Sequence, residues 1–173
     1  MTRGIYMVPV NTWYIERAVW VVAGTVLLGA TTLALTVDPR FVLFVAATGI
    51  ASIVVAFTGF CIPGNVLHRL GMPSRLGDPA RKDFYLMKTD SWYLERRIYA
   101  TVGTNLTIAS VLTLVHSMWW LAFVAFVGVA MYWFAATGFC IMANMLYWIG
   151  AEPRLAPEYG KRSAIAASTA ARP

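Results

Sequence analysis

Two cysteines are all this chain contains, and each closes the same phrase: TGFCIPGN over residues 58–65 and TGFCIMAN over residues 137–144. A thiol among basic side chains can carry a persulfide or exchange a disulfide, and two related thiols that approach each other could relay sulfur. Thiols in the cytosol are kept reduced, however, and a thiol at a helix C-terminus ionises less readily. Cys61 and Cys140 therefore read first as packing residues, with sulfur chemistry as the alternative. A second recurring group is Glu16-Arg17 beside Trp13 and Glu95-Arg96 beside Trp92. At a membrane boundary such a group anchors a helix: the glutamate favours the N-terminal dipole, and the arginine reaches a lipid phosphate or the adjacent glutamate. Anion binding is the lesser reading. His68 and His116 fall at opposite ends of the apolar runs, too far apart to share one haem iron. No zinc spacing, P-loop, dinucleotide fingerprint or Ser-His-Asp candidate occurs. No catalytic residue and no metal site are expected, and the chain does not read as an enzyme.

The elements that would hold these residues are apolar throughout. The 173 residues are 59% hydrophobic and 13% charged, whereas soluble domains run near 45–50% and about 25%. A net charge of +6 does not indicate nucleic acid, because the charges lie between long apolar runs and not on one exposed face. The first uncharged run spans Arg17 to Asp38, and the second extends from Phe41 to His68, with Pro63-Gly64 expected to break it. A third ends at His116. The fourth, uncharged from Met118 to Glu152, exceeds one crossing and is expected to break near Gly138 and finish along the interface. A helix rising 1.5 Å per residue crosses about 30 Å of hydrocarbon in about 20 residues, so four spans are expected. No secretory signal peptide is visible.

Thirteen of the 14 Lys and Arg residues lie in the N-terminal arm, the middle segment or the tail, and only Arg40 lies in a loop on the opposite side. The positive-inside rule then places both termini in the cytoplasm of a bacterial inner membrane. Tyr14, Tyr93, Tyr147 and Trp148, with Trp13 and Trp92, mark one boundary; Trp119 and Trp120 mark the other.

A repeat runs through the chain without a gap. Glu16 falls on Glu95, an offset of 79 (95 − 16), and the same offset carries Trp13-Tyr14 onto Trp92-Tyr93, Gly24 onto Gly103, Gly49 onto Gly128 and Asn65 onto Asn144. The division that follows is an arm over residues 1–10, a two-span repeat over 11–76, a linker over 77–89, a second repeat over 90–155 and a basic tail over 156–173. Each unit crosses an even number of times, so the two are parallel. The expected fold is an all-α membrane protein: four transmembrane helices as two parallel repeated hairpins with short interfacial helices. Asn11-Thr12 and Asp90-Ser91 are the expected helix caps.

In lipid, small residues let helices approach closely. Thr48, Ser52 and Ala56 form one small face, and Gly103 with Thr107 another; Asn105 is expected to hydrogen-bond a neighbouring helix. Trp119, Trp120, Tyr132 and Trp133 offer a lipid-facing or partner-facing surface. Membrane lipids and other membrane subunits, or the chain itself, are the expected partners. No cofactor is expected, although contact with a bound lipid, quinone or pigment stays open.

A polar residue followed by Glu-Arg, a glycine-bearing span, a short turn, a second span and Gly-Phe-Cys resembles a bacterial membrane domain of unknown function, typified by the two-span membrane part of the inner-membrane rhodanese YgaP. The resemblance covers residues 11–76 and 90–155, so the chain looks like a tandem version. Members often accompany sulfur-handling proteins, which implies a sulfur context for Cys61 and Cys140. That family usually has a proline directly after the cysteine, where Ile62 and Ile141 stand here. From the residues, the expected function is an accessory or scaffold subunit; a sulfur-species relay is the alternative.

Overall fold

Four apolar stretches wind into helices long enough to cross a membrane: α1 (Ile15–Thr36), α2 (Val42–Thr58) together with the turn that leads into it from Pro39, α4 (Leu94–Val115) and α5 (Trp120–Thr137). Two eight-residue helices, α3 (Ile62–Arg69) and α6 (Ile141–Trp148), follow α2 and α5. The computed structural model describes residues 4–81 and 83–155, and the tail expected over 156–173 lies outside them. Short turns join α1 to α2 and α4 to α5, so the two long helices of each pair run in opposite directions. One end of the bundle, the loop end, carries Asp38–Arg40 and His116–Met118. The other, the arm end, gathers the N-terminal arm, α3, α6 and the segment between α3 and α4.

Local chemistry sets most of the boundaries. At the loop end a single 3-10 turn, Pro39–Phe41, opens under Asp38, whose carboxylate accepts from the Arg40 N–H at 2.7 Å. At the arm end Gly59 and Gly138 stop α2 and α5 at φ +76° and +74°, a left-handed conformation that a Cβ disfavours. The break expected at Pro63-Gly64 thus comes earlier, at Gly59. Pro63 instead opens α3, where its missing N–H has no helical partner to lose.

The expected caps need correction. Tyr14 and Tyr93 occupy the N-cap positions, with no side-chain cap bond. The first helical N–H groups are satisfied from elsewhere in the chain: Ile15 donates to the Pro73 carbonyl at 2.9 Å and Leu94 to that of Glu152 at 2.8 Å. Thr12, Asp90 and Ser91 accept from the guanidinium groups of Arg75 and Arg154 instead.

Each hairpin's second helix leans on the other hairpin's first: α2 packs mainly on α4, and α1 on α5. At the centre Trp20 of α1 stacks on Tyr99 of α4 with ring centroids 4.8 Å apart. The tightest crossing is α2 with α4. A Cβ on Gly103 would sit 2.6 Å from the Gly49 carbonyl oxygen, so backbones meet directly there. Thr107 lies in the same crossing, and Ala56 is buried. Thr48 and Ser52 are only partly buried, and their hydroxyls donate back to the Phe44 and Thr48 carbonyls one turn earlier. The buried face of α2 runs through Val42, Val45, Gly49, Val55 and Ala56. A strict every-fourth-residue row drifts around a helix of 3.6 residues per turn, and it leaves the contact centred on Gly49.

Candidate functional site

Adjacent residues on a helix point in different directions, and the two Glu-Arg pairs use this to reach different neighbours. Glu16, 1% exposed, accepts from the backbone N–H of Leu76 at 2.7 Å and of Arg75 at 3.1 Å, and from the Tyr85 hydroxyl at 3.1 Å. Glu95, 3% exposed, accepts from the N–H of Leu155 at 2.8 Å and of Arg154 at 3.0 Å, and from the Tyr6 hydroxyl at 2.9 Å. Each carboxylate joins three things: the first turn of its helix, the segment after its own short helix, and a tyrosine from the stretch preceding the other hairpin.

Arg17 crosses to the opposite hairpin. Its Nε donates to the Ala135 carbonyl at 2.6 Å, and its Nη1 to those of Val10 and Thr12 at 2.8 and 3.1 Å. Arg96 does the same toward Ala56, Thr89 and Ser91. Ala135 and Ala56 lie in the last turns of α5 and α2, where carbonyls lack helical partners and the dipole favours a cation. Trp13 and Trp92 cover the two guanidinium groups, each with its ring centroid 4.1 Å from the central carbon. Neither arginine reaches out to lipid or pairs with its neighbouring glutamate, contrary to the expectation from sequence. Both are buried, and a buried guanidinium needs several acceptors at once, which the helix C-termini and the arm carbonyls supply.

The arms complete the exchange. Tyr6 donates its N–H to Asn144 Oδ1 at 2.7 Å and accepts from Asn144 Nδ2 through its carbonyl at 3.1 Å. Tyr85 makes the matching pair with Asn65, both at 2.9 Å. Val8 and Met87 then donate to the carbonyls of Gly138 and Gly59 at 3.0 and 2.9 Å. Burial, reinforced by Glu95 and Glu16, pushes the Tyr6 and Tyr85 hydroxyls well above their usual range. Burial likewise raises Tyr14 to about 12 against the opposing pull of Arg75. Sequence reasoning missed both arm tyrosines. They stand 79 residues apart like the rest (85 − 6), but in the arm and linker, outside the stretch where matches run densely.

Both thiols are free, Cys61 buried and Cys140 half-buried. Because Gly59 and Gly138 end the long helices first, the cysteines occupy the N-cap positions of α3 and α6 and do not sit at a helix C-terminus, although only the Cys61 side chain accepts a cap bond. Cys61 Sγ accepts from the Gly64 N–H at 3.4 Å. Burial pushes both thiols up, and the lowering by backbone N–H groups does not offset it. The helices that meet at the centre, through Trp20 and Tyr99, are α1 and α4. The helices that precede the thiols, α2 and α5, each pack mainly on the other hairpin's first helix and not on each other.

Other expected residues are dispersed. Trp119 and Trp133 project outward, while Tyr132 turns toward α1 and its hydroxyl lies 2.6 Å from Thr25 Oγ1. Trp120 donates through its ring N–H to His116 Nδ1 at 3.3 Å. Asn105 does not bond a neighbouring helix: its side chain is exposed and hydrogen-bonds no described residue. It lines an outward-opening cavity of about 490 Å³ between α4, α5 and α6, whose walls are otherwise almost wholly apolar. Among the described residues, no three His, Cys, Asp or Glu side chains converge as metal ligands would. Comparison with family models, curated proteins and solved structures finds no match.

Proposed function

We propose that the chain is a non-enzymatic, multi-pass protein of the bacterial inner membrane, built by tandem duplication of a two-span unit, that serves as an accessory or scaffold subunit. The observation that carries this reading is the use made of Glu16, Glu95, Arg17 and Arg96. Each of these buried charges is engaged within the chain, tying helix to arm or hairpin to hairpin. A charge saturated in this way supports a rigid frame and leaves little for turnover of a substrate. The outward aromatic side chains Trp119, Phe126 and Trp133 supply a face for lipid or for a neighbouring membrane subunit. In this reading both termini lie in the cytoplasm, with the basic arm end inside, and Cys61 and Cys140 pack without handling sulfur.

Cross-linking in native membranes, followed by gel separation, tests the scaffold role. A discrete species larger than one chain is expected, either a complex with a larger partner or a self-assembly. A chain recovered only as a monomer would sink the proposal. Orientation has its own check: a Ser117→Cys variant should react with an impermeant maleimide from outside the inner membrane, and labelling only after the membrane is opened would reverse the topology.

A further inference from the structure

We propose that the cavity between α4, α5 and α6 binds a neutral amphiphile: a long apolar chain with one carbonyl or hydroxyl head that meets the Asn105 amide. Three observations converge on it. The first is position. Asn105 lies near the middle of the 22 residues of α4, so a rise of 1.5 Å per residue puts it roughly 16 Å from either end, at mid-bilayer depth. The second is its condition. The amide is exposed and bonds no described residue, yet in hydrocarbon no water can satisfy it. The third is the space beside it, about 490 Å³ bounded by Val102, Phe126, Val129, Met131 and Trp133. Phe126, Val129 and Trp133 are themselves exposed, so the cavity opens sideways toward lipid.

The lining also selects among occupants. It contains no Lys or Arg, and its one carboxylate, Glu95, already accepts from Leu155, Arg154 and Tyr6. An anionic head would find no cation there, and a cationic head no free anion. A phospholipid chain could fill the space, but at mid-bilayer depth it presents only methylene groups and leaves the amide bare. A neutral head at that depth satisfies the amide while its chain covers the aromatic wall. Val26 holds the position 79 residues before Asn105, and Ala47 that before Phe126. Val54 likewise matches Trp133, so the first hairpin lacks the polar anchor and the Phe126 and Trp133 rings beside it.

The test takes full-length protein purified in mild detergent and measures co-purifying neutral lipids and phospholipids per chain by mass spectrometry, for the natural chain and for Asn105→Val. That substitution installs the first hairpin's residue at a position with no partner to lose, so the fold should be retained, and an unchanged Tm checks this. In parallel, a benzoquinone with a decyl tail is titrated while tryptophan emission is followed, since Trp20 and Trp133 line the cavity. The proposal expects close to one neutral carbonyl- or hydroxyl-bearing lipid per chain. It also expects saturable quenching that weakens about tenfold in Asn105→Val, the upper range for one neutral hydrogen bond. Phospholipid alone, or neutral lipid and quenching indifferent to Asn105→Val, overturns it. So does a self-assembly that Asn105→Val dissolves, because the groove would then belong to a second copy. A lipid-bound monomer would refute the scaffold role and leave this site standing.

Discussion

The two hairpins are alike at the arm end and unlike within the apolar layer, and the contrast separates framework from surface. At the arm end the Glu, Arg, Asn and arm-Tyr contacts recur at an offset of 79 with nearly the same distances. Between the ends the crossing glycines still recur, but the side chains around them diverge. Tyr132 stands where Ile53 does, Leu28 where Thr107 does, and Asn105 where Val26 does. The recurring contacts are the ones that bind each half to the other. The divergent side chains determine how closely helices cross and what faces outward.

The sharpest way to break that likeness is to remove a carboxylate. Glu16→Ala and Glu95→Ala each strand two backbone N–H groups and a tyrosine hydroxyl in a buried setting. At about 1–3 kcal/mol per unpaired donor, each should cost roughly 3–9 kcal/mol, read as lost unfolding free energy in detergent titrations. The two losses should be similar, because each carboxylate accepts from two backbone N–H groups and one tyrosine hydroxyl at nearly the same distances. If one variant proved near neutral, the arm end would not be a matched pair of staples.

Next in size is a difference between the two glycine crossings. A Cβ on Gly103 would lie 2.6 Å from the Gly49 carbonyl oxygen and 2.8 Å from the Ile53 nitrogen, both backbone atoms that cannot step aside. A Cβ on Gly128 would meet the flexible end of Leu28 at 3.0 Å and the Gly24 carbonyl only at 3.5 Å. Gly103→Ala should therefore cost about 1–3 kcal/mol by overpacking, and Gly128→Ala less than about 1 kcal/mol. Tyr132 accounts for the wider spacing: its ring inserts beside Gly24, where the smaller Ile53 lies beside Gly103. Equal losses in the two variants would remove this distinction between the crossings.

The spans, their number and the break at Gly138 were legible because composition, run length and glycine placement are local properties. The matching offset was legible because identities recur in order along the chain. The pairing of each hairpin with the opposite arm was not, since a parallel repeat reads the same whether arms dock on their own half or on the other. Nor could sequence show Glu16 and Arg17 parting company, because adjacency in the chain suggests contact while helix geometry separates them. Asn105 was expected to find a helix partner on the rule that amides in lipid are paired. That rule identifies a need without saying whether the chain itself meets it.

A third test uses pH. Tyr6 and Tyr85 are held above their ordinary value of 10.0 by burial and by a nearby carboxylate. Because the folded pKa is raised, their contribution to stability is complete below pH 10, where both states keep the proton. Above it the unfolded chain ionises first, and stability falls as pH climbs toward the folded value. The loss should approach about 1.4 kcal/mol per tyrosine for each pH unit above 10. Tyr6→Phe should be less stable at pH 8, having lost a hydrogen bond to Glu95, yet show a shallower decline between pH 10 and 11. An unchanged slope would mean that Tyr6 is not protected as the bond to Glu95 implies.

The smallest effect is expected at the thiols, where the two hairpins differ in burial and in whether the sulfur accepts a cap bond. Cys61 and Cys140 stand at the N-cap positions of α3 and α6, and serine is a preferred residue at that position. In Cys61→Ser a stronger cap bond to the Gly64 N–H therefore opposes the cost of burying a hydroxyl, and the net change should stay within about 1 kcal/mol. Cys140→Ser should change stability less still, because its side chain is only half-buried. Burial raises both thiols, so maleimide labelling near pH 7 should be slow at each and slower at Cys61. If the chain packs without handling sulfur, the doubly substituted protein should retain its assembly in native membranes. Loss of that assembly while the fold stays intact would return the cysteines to chemistry. It would also show that the matched contacts at the arm end include a reactive pair and not only a frame.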